Sequence, residues 1–374
     1  MKMRESLRIL YLIDHLETNY PRDQNYIIKL MMERGHEVEV ITTMNRKYQM
    51  YDAHFFPRVR ILRYPTAFKV RKANIYITHP STLHELFRGF DIVHSFTFFT
   101  FSSVIGIFAK ANIKVIRSEI GQPHGSNFIK AKKGVYSALV HMYKRSYSYV
   151  TAYNHLEAKS LELLGFPKSR IVLLPPMIDF KMFSSLRKPP DHILNIGVIG
   201  RISPEKGIHR IVPIVKELIK DTQSTSHKFR LILAGRADEG KYANAILSSL
   251  QKLLDSRFIY LGEVAPPYRF YKMVDIVIVP SLTETGAIAV LEAMASGKCV
   301  IASNIYPINL YISHGINGFL FNNFHEATEI LRGILEGSVD MGSVSAKAQE
   351  YAKKHDYRII CKVLEQVYRR GLTR

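Results

Sequence analysis

The residues best suited to bind an anionic ligand lie in a short segment rich in glycine and positive charge. This segment, Gly197 to Gly207, follows an apolar run and precedes a helical pattern that begins near Ile208. Glycines such as Gly200 let the backbone approach a ligand, whereas Arg201 offers a fork of donors and Lys206 a mobile charge. A pyrophosphate would suit this combination. The alternative interpretation is a solvated basic loop.

A second segment, residues 280–297, also predicts an anion site. It follows the apolar run Ile276–Val279, and we expect a helix to begin around Gly286. The first backbone N–H groups of a helix have no partner within it and carry the positive end of its dipole. The amides of Gly286, Ala287 and Ile288 should therefore attract an anion.

Two glutamates belong to this second segment. Glu292 shares one helix face with Ala289, Ala293 and Ser296, given 3.6 residues per turn. A lone carboxylate among small residues favours a ligand contact, although a partly exposed glutamate, or one paired with an arginine, is the alternative. Glu284 precedes the helix, where an acidic residue could also act as a cap.

The elements that must position these residues are short apolar runs that alternate with helical patterns. One such helix, Gln24 to Arg34, ends at Gly35, as helices commonly do. Alternation of this kind predicts an α/β protein with parallel, doubly wound sheets, whose ligands bind outside the carboxyl ends of the strands. The predicted strands are Arg8–Ile13, Glu37–Thr42, Ile92–His94, Lys114–Arg117, Ile193–Gly197, Arg230–Ala234, Phe258–Leu261, Ile276–Val279 and Cys299–Ala302.

The length of 374 residues predicts two domains. The strand–helix pattern restarts near Ile193, after a proline-marked stretch at 175–190, so we expect domains at 1–185 and 186–355. The two cysteines, Cys299 and Cys361, are too few for a disulfide framework and offer no metal-ligand spacing. We therefore expect a reduced, cytoplasmic setting.

The charge is strongly positive, with 52 Lys and Arg against 32 Asp and Glu and a net charge of +20. Residues 1–185 hold 27 basic and 14 acidic side chains, so most of the excess lies in the first half. Nucleic acid, an anionic membrane or a phosphorylated substrate could be the partner. No recognisable nucleic-acid module is present, and we expect no nucleic acid among the partners.

Taken together, these segments resemble the retaining GT-B glycosyltransferases of family 4 (glycosyl transferases group 1). The resemblance covers nearly all of residues 193–325 and is fainter in the first half. It is carried by Gly200-Arg201…Lys206-Gly207, Leu231-Ile232-Leu233-Ala234-Gly235, Tyr260-Leu261-Gly262-Glu263-Val264, Met273-Val274-Asp275-Ile276 leading to Pro280-Ser281, the pair Glu284 and Glu292, and Glu292-Ala293-Met294-Ala295-x-Gly297. Fainter matches are Arg34-Gly35-His36-Glu37-Val38, Asp91-Ile92-Val93-His94 and Pro176-Met177-Ile178-Asp179.

The resemblance implies a role for each matching residue. Arg201 and Lys206 would hold the pyrophosphate of a nucleotide-sugar donor, Glu292 would bond its ribose, and Glu284 would bond the hydroxyls of the transferred sugar. It also implies two Rossmann-like domains facing across a cleft, transfer with retention to a glycan or lipid-linked acceptor, and a C-terminal helix, about 356–374, that packs back on the N-terminal acceptor domain. Two cations and a helix N-terminus can stabilise a diphosphate without a metal, and the sequence contains no Asp-x-Asp. We therefore expect no cofactor.

The chain departs from the family at three places. The family usually has Phe-Gly where this chain has Gly286-Ala287, and a Gly-Gly pair in the first loop where this chain has Glu17-Thr18-Asn19-Tyr20-Pro21. Many relatives also place a histidine after the strand Lys114–Arg117. Glu119 occupies that place here, and His94 is another candidate for the acceptor side, as is His124.

A segment of the first half predicts contact with a membrane surface. Ile129 to Tyr149 reads as one amphipathic helix with lysines 130, 132 and 133 beside an aromatic stripe. The stripe consists of Tyr136, Leu139, Val140, Tyr143 and Tyr147. Basic residues beside aromatic ones suit an anionic interface, although a stripe buried in the domain core is the alternative. We expect no spanning helix, and a protein that is cytoplasmic or peripheral on the inner face of the cell membrane.

The sequence thus predicts a glycosyltransferase in polysaccharide or glycolipid biosynthesis. A non-hydrolysing nucleotide-sugar epimerase is an alternative on the same fold, but it would need acid–base residues around the sugar that the sequence does not identify. A basic nucleic-acid-binding protein is a remote third alternative. Transfer, isomerisation and absence of turnover on labelled nucleotide-sugars would separate the three.

Overall fold

The chain divides into two compact units, residues 1–177 with 357–374, and residues 178–356. The computed structural model describes residues 6–18, 22–44, 49–64, 66–70, 73–76, 89–118, 125–186, 193–221, 229–237 and 240–372. The boundary at Met177–Ile178 lies eight residues before the expected one at 185/186. Within the described ranges, no helix combines the length and the apolar character needed to cross a bilayer.

The first unit contains a seven-stranded parallel sheet with the order β3-β2-β1-β6-β7-β8-β9. A separate antiparallel pair is formed by β4 and β5. The strands are β1 Arg8–Leu12, β2 Glu37–Thr43, β3 Arg60–Tyr64, β4 Thr66–Val70, β5 Ala73–Tyr76, β6 Phe90–Ser95, β7 Ala111–Arg117, β8 Tyr149–Ala152 and β9 Ile171–Leu173.

The helices of the first unit cover this sheet. They are α1 Asp23–Glu33, α2 Asp52–Phe55, α3 Phe101–Phe108, α4 Ser126–Ala131, α5 Gly134–Ser146, α6 His155–Leu163 and, from the end of the chain, α15 Tyr357–Leu372. The last helix packs in one core cluster with β1, β2 and α1. Its buried face contains Tyr357, Cys361, Leu364 and Tyr368, whereas Val363 is exposed.

The second unit contains a six-stranded parallel sheet with the order β12-β11-β10-β13-β14-β15. Its strands are β10 Leu194–Ile199, β11 Phe229–Ala234, β12 Phe258–Tyr260, β13 Ile276–Val279, β14 Cys299–Ser303 and β15 Phe319–Phe321. Its helices are α7 Phe180–Ser184, α8 Ile211–Asp221, α9 Lys241–Leu254, α10 Tyr268–Tyr271, α11 Ile288–Ala295, α12 Ile308–Tyr311, α13 Phe324–Leu335 and α14 Met341–Ala352. Separate apolar clusters pack on the two faces of the sheet.

Each sheet has one point where the order of its strands reverses direction. In the first unit this point lies between β1 and β6, and in the second between β10 and β13. Loops leave the carboxyl ends of the two strands in opposite directions there, which opens a crevice that suits a ligand. The expected doubly wound, parallel architecture is confirmed in both units.

The expected single helix from Ile129 to Tyr149 is wrong. The chain forms two helices, α4 and α5, because Lys133 is extended and Gly134, the first residue of α5, adopts a positive φ of 51°. A left-handed residue cannot continue an α-helix, and glycine adopts that conformation at the least cost. The two helices nevertheless keep the lysines at 130, 132 and 133 together at their junction.

Candidate active site

Both predicted segments lie at the reversal point of the second sheet. The residues from Gly200 to Gly207 follow β10, and the residues from Pro280 to Ala287 follow its neighbour β13. Because the strands are parallel, the two loops leave the same edge of the sheet. The fold of the second unit therefore brings together two segments that are about 80 residues apart in the sequence.

Glycine is required where these loops approach each other. Gly207 has a φ of 63°, and a Cβ atom at this position would lie 2.1 Å from the Pro280 carbonyl oxygen. Gly235, which follows β11, is equally constrained, since a Cβ there would lie 1.8 Å from the carbonyl oxygen of Gly200. These contacts explain the glycine at both positions and hold the backbone of the first segment against β11 and β13.

Lys206 and Glu284 form an ion pair at the centre of this edge. The Lys206 ammonium lies 2.7 Å from Glu284 Oε1, which also accepts a hydrogen bond of 2.8 Å from the Ser281 hydroxyl. The Glu284 side chain is 9% exposed and that of Lys206 is 28% exposed. The carboxylate is thus held in place, while the lysine remains accessible to a ligand.

Arg201 pairs with a glutamate that the sequence analysis did not identify. Its guanidinium donates to Glu205 Oε1 at 2.9 Å, and both side chains are exposed. The Glu205 backbone carbonyl accepts the amide N–H of Leu282 at 2.9 Å, which ties the two loops together. A hydrogen bond from its own backbone N–H lowers the pKa of the Glu205 carboxyl, which is therefore ionised at neutral pH.

Glu292 is buried and lies in α11. Its Oε2 accepts a hydrogen bond of 2.9 Å from the hydroxyl of Tyr271, a fully buried residue at the end of α10. The Ser296 hydroxyl donates to the Glu292 backbone carbonyl at 2.7 Å, which stabilises the last turn of the helix. The alternative of a partly exposed glutamate is therefore wrong, and a tyrosine fixes the orientation of the carboxylate.

The helix α11 begins two residues later than we expected. It starts at Ile288, and its N-cap residue, Ala287, has a left-handed backbone with φ 47° and ψ 43°. The Gly286 carbonyl oxygen accepts a hydrogen bond of 3.3 Å from the Tyr311 hydroxyl. The predicted amides thus lie at the start of the helix, although Gly286 and Ala287 belong to the loop that leads into it.

Arg210 stabilises the start of the second loop through hydrogen bonds to residues at the ends of three strands. One of its guanidinium nitrogens donates to the Pro280 carbonyl oxygen at 3.3 Å and to the Ser303 hydroxyl at 2.7 Å. The other donates to the carbonyl oxygen of Asn322 at 3.0 Å. Desolvation lowers the pKa of Arg210 from its ordinary value. The side chain links the carboxyl ends of β13, β14 and β15, and so fixes the start of the loop that carries Glu284.

At the carboxyl edge of the first sheet, Asp14, Asp23 and Arg117 are more deeply buried than Arg201 and Glu205 are at the second. Asp14, which follows β1, accepts the amide N–H of Ser102 at 3.1 Å in the first turn of α3, and desolvation raises its pKa. At the end of β7, Arg117 forms a buried ion pair of 2.5 Å with Asp23, and each side chain is only 4% exposed. These charges compensate each other within the unit.

His94 does not lie where an acceptor could reach it. It is fully buried in β6, where its Nδ1 shares a hydrogen bond of 2.6 Å with the Tyr368 hydroxyl and its ring stacks on Phe96. Burial lowers the pKa of His94 to about 3, so the imidazole is neutral at physiological pH. The interpretation of His94 as an acceptor-side residue is therefore wrong. Glu119 and His124 lie outside the described residues.

The predicted aromatic stripe belongs to the core of the first unit. Val140, Tyr143 and Tyr147 are buried in one apolar cluster, and Leu139 packs against it. Tyr136 is half-buried, and the Lys130 ammonium lies 4.1 Å from the centre of its ring. The stripe cannot face a membrane, whereas the three lysines at 130, 132 and 133 are exposed.

Among the described residues, no three His, Cys, Asp or Glu side chains lie close enough together to hold a metal ion. At the second edge, Arg201 and Lys206 each face one carboxylate. An arrangement of this kind can exchange its internal carboxylates for the oxygens of a phosphate ligand.

Comparison with known proteins agrees with this geometry. The family of glycosyl transferases group 1 matches residues 181–355, and glycosyltransferase family 4 matches residues 25–181. An uncharacterised glycosyltransferase of Methanocaldococcus jannaschii is 24% identical in an alignment 326 positions long that covers 77% of each chain. The alpha-monoglucosyldiacylglycerol synthase of Streptococcus pneumoniae is 29% identical over 156 residues, which are 41% of this chain and 34% of that protein.

The fold is also that of solved glycosyltransferase structures. The Anabaena protein HepE, in complex with UDP and glucose, has a TM-score of 0.74 and 17% identity, over 96% of this chain and 99% of that one. The two family matches together cover residues 25–355, and the GT-B architecture is shared. This chain therefore belongs to the GT-B glycosyltransferases of family 4, the glycosyl transferases group 1.

Proposed function

We propose that this enzyme transfers a sugar from a nucleotide-diphosphate-sugar to an acceptor hydroxyl, with retention of the anomeric configuration and without a metal ion. The observation that carries the proposal is the pair of Lys206 and Glu284, with 2.7 Å between their charged atoms at the reversal point of the second sheet. A cation for the leaving diphosphate and a carboxylate for the sugar then lie side by side.

The cations have the stabilising role in this proposal. As the bond between the anomeric carbon and the phosphate oxygen breaks, negative charge develops on the diphosphate. Lys206 and Arg201 would stabilise that charge, together with the free amides at the start of α11. Both cations lie in loops held by backbone contacts, so their positions require little rearrangement when the donor binds.

The two glutamates divide the recognition of the donor between them. Glu292, oriented by Tyr271, would accept hydrogen bonds from the ribose hydroxyls. Glu284, fixed by Ser281, would accept them from the transferred sugar. A glutamate that accepts such bonds in a partly desolvated site discriminates strongly against a ligand lacking the hydroxyl.

Retention follows if the acceptor attacks from the face that the diphosphate leaves. A bond then forms between the acceptor oxygen and the anomeric carbon, and the acceptor proton passes to the departing phosphate oxygen. In this scheme the leaving group itself takes the proton. No side chain has to act as a general base.

Incubation with labelled nucleotide-sugars tests the proposal. UDP-glucose is the first donor to try, because the structurally similar HepE was solved with UDP and glucose. Transfer in the presence of EDTA, with a product that keeps the donor's anomeric configuration by NMR, is the expected result. Isomerisation without an acceptor would favour the epimerase alternative, and loss of activity in EDTA would exclude the metal-free mechanism.

We also propose that the acceptor is presented at an anionic membrane surface. The pneumococcal relative is named for making alpha-monoglucosyldiacylglycerol, a lipid. In this chain, Ile129, Val135 and Met142 are 46%, 74% and 37% exposed on α4 and α5. Exposed apolar side chains on the two helices whose junction carries the lysines at 130, 132 and 133 fit the boundary between lipid headgroups and acyl chains.

Co-sedimentation with anionic vesicles tests this second proposal. Since each basic residue near an anionic bilayer contributes about 1 kcal/mol, replacing Lys130, Lys132 and Lys133 by Ser should weaken binding by up to about a hundredfold at low salt. The matched control replaces three exposed lysines of the second unit, at 216, 220 and 252, by Ser. Equal binding by both triple variants, or binding that ignores salt, would exclude the membrane surface.

A further inference from the structure

A pocket of about 430 Å³ lies at the edge of the first sheet that is formed by the amino ends of its strands, where β7, β8 and β9 begin. It is lined by Asn112, Arg145, Ser146, Ser148, Ser169 and Arg170, among others. Loops at the amino ends of parallel strands do not carry the ligand site of a doubly wound fold. The pocket is therefore separate from the donor site, which also belongs to the other unit.

The pocket presents two arginines without an acidic partner. Arg145 lies in the last turn of α5, and Arg170 lies in the short turn before β9, where it donates to the Lys144 carbonyl oxygen at 3.1 Å. Neither forms an ion pair with any residue in the described ranges. From Ile92 to Leu156 the sequence contains eight Lys and Arg but one acidic residue, Glu119.

The remaining polar groups of the pocket are well suited to donate hydrogen bonds. The Ser148 hydroxyl oxygen accepts the amide N–H of Lys114 at 3.2 Å, so its own proton is available to a ligand. Ser146 and Ser169 add two further hydroxyl groups to the lining. Planar guanidinium groups with hydroxyl donors, in the absence of a carboxylate, match the oxygens of a phosphate.

We propose that this pocket binds a phosphate group, carried either by an anionic phospholipid or by a free phosphorylated small molecule. The exposed face of α5 favours the lipid source, because Arg145 lies on the same side of the helix as Val135 and Met142. The site is distinct from the lysines at 130, 132 and 133, since the 13 residues of α5 separate the two by about 20 Å.

Calorimetry with inorganic phosphate tests the pocket. The protein carries Arg201→Ala and Lys206→Ala in every sample, so that the donor site contributes no phosphate binding. In this background, Arg145→Gln with Arg170→Gln should weaken phosphate binding by about tenfold or more, because two charge-assisted contacts are lost. The matched control, Lys216→Gln with Lys220→Gln, removes the same charge from exposed positions of the second unit and should bind phosphate as the background protein does.

Vesicles distinguish the two sources of the phosphate. With phosphatidylglycerol vesicles, weaker binding of the Arg145/Arg170 variant than of the Lys216/Lys220 control identifies a lipid headgroup. Equal vesicle binding, combined with lost phosphate binding, identifies a free phosphorylated molecule. If neither phosphate nor vesicle binding depends on the two arginines, the proposal is wrong. If the double variant does not fold, Arg145→Gln and Arg170→Gln are tested singly. Each should lose part of the affinity for phosphate, and the same criteria apply.

Discussion

The reversal points of the two sheets have the same topology but opposite chemistry. At the second, Arg201 and Lys206 extend from loops and face the carboxylates of Glu205 and Glu284 at 2.9 and 2.7 Å. At the first, the charges of Asp23 and Arg117 are almost completely buried. One edge keeps its cations available to a ligand, and the other uses charge to hold its own elements together.

This difference shows why fold alone does not locate the chemistry. Both edges offer a crevice at the carboxyl ends of parallel strands, which is where doubly wound folds bind ligands. At the second edge the Arg201–Glu205 pair can exchange partners at small cost, because exposed pairs contribute little to stability. The second edge also carries Lys206 and the start of α11, which supports the proposal that the donor diphosphate binds there.

The largest expected effect comes from breaking the buried pair. Asp23→Asn would leave the Arg117 guanidinium without its counter-charge and should lower the free energy of unfolding by about 3–5 kcal/mol. Glu205→Gln, which removes an exposed pair, should lower it by less than about 1 kcal/mol. Urea unfolding of both variants measures the difference. If Asp23→Asn is as stable as the wild type, the first edge is not held by this pair.

A somewhat smaller effect is expected from the cations of the second edge. Arg201→Ala and Lys206→Ala should each lower turnover by roughly one to three powers of ten, because each removes stabilisation of the developing phosphate charge. Their stability should change little, unlike that of Asp23→Asn. Steady-state kinetics at saturating donor measure the loss. Wild-type turnover in either variant would show that the altered residue has no part in the reaction.

The smallest effect is the change in the stability of the first unit with pH that His94 causes. The pKa of His94 is about 3 in the folded protein against an ordinary value of 6.5, so the unfolded state binds its proton first as the pH falls. The contribution of His94 to stability is complete above pH 6.5 and declines by about 1.4 kcal/mol per pH unit below it, which amounts to about 2 kcal/mol at pH 5.

Unfolding of the wild type and of His94→Gln at pH 7, 6 and 5 measures this contribution. The variant should lose stability less steeply than the wild type over the same interval. Parallel slopes for the two proteins would mean that His94 titrates normally and is not enclosed in the core of the first unit.

Much of the fold follows from sequence periodicity, because buried parallel strands are uniform apolar runs. Ile276–Val279 was predicted with its observed bounds, and Cys299–Ser303 with an error of one residue. Short or polar strands escaped prediction, including Arg60–Tyr64, Tyr149–Ala152 and Ile171–Leu173. Their pairing depends on neighbouring strands rather than on a local pattern.

The candidate site was predicted in part. Local motifs identified Arg201, Lys206 and the two glutamates, because the glycines and the helix start lie beside them in the sequence. Their partners could not be found in the same way. Tyr271 lies 21 residues before Glu292 and reaches it only through the packing of α10 on α11. Tyr271 lies among aromatic and basic residues, between Arg269 and Lys272, and nothing in this local pattern indicates a contact with Glu292.

Calorimetry with the nucleoside diphosphate of the donor that supports transfer measures whether the second edge binds the donor diphosphate. Glu292→Ala should weaken binding by about 1.5–3 kcal/mol through the loss of a charge-assisted hydrogen bond. Glu284→Ala removes only contacts with the transferred sugar, which this ligand lacks. It should therefore leave the affinity for the nucleoside diphosphate nearly unchanged. The double variant of Arg201 and Lys206 to Ala should bind far more weakly than the Lys216/Lys220 control. Equal losses for the two glutamates, or wild-type affinity in the double variant, would contradict the assignment of the donor site to this edge.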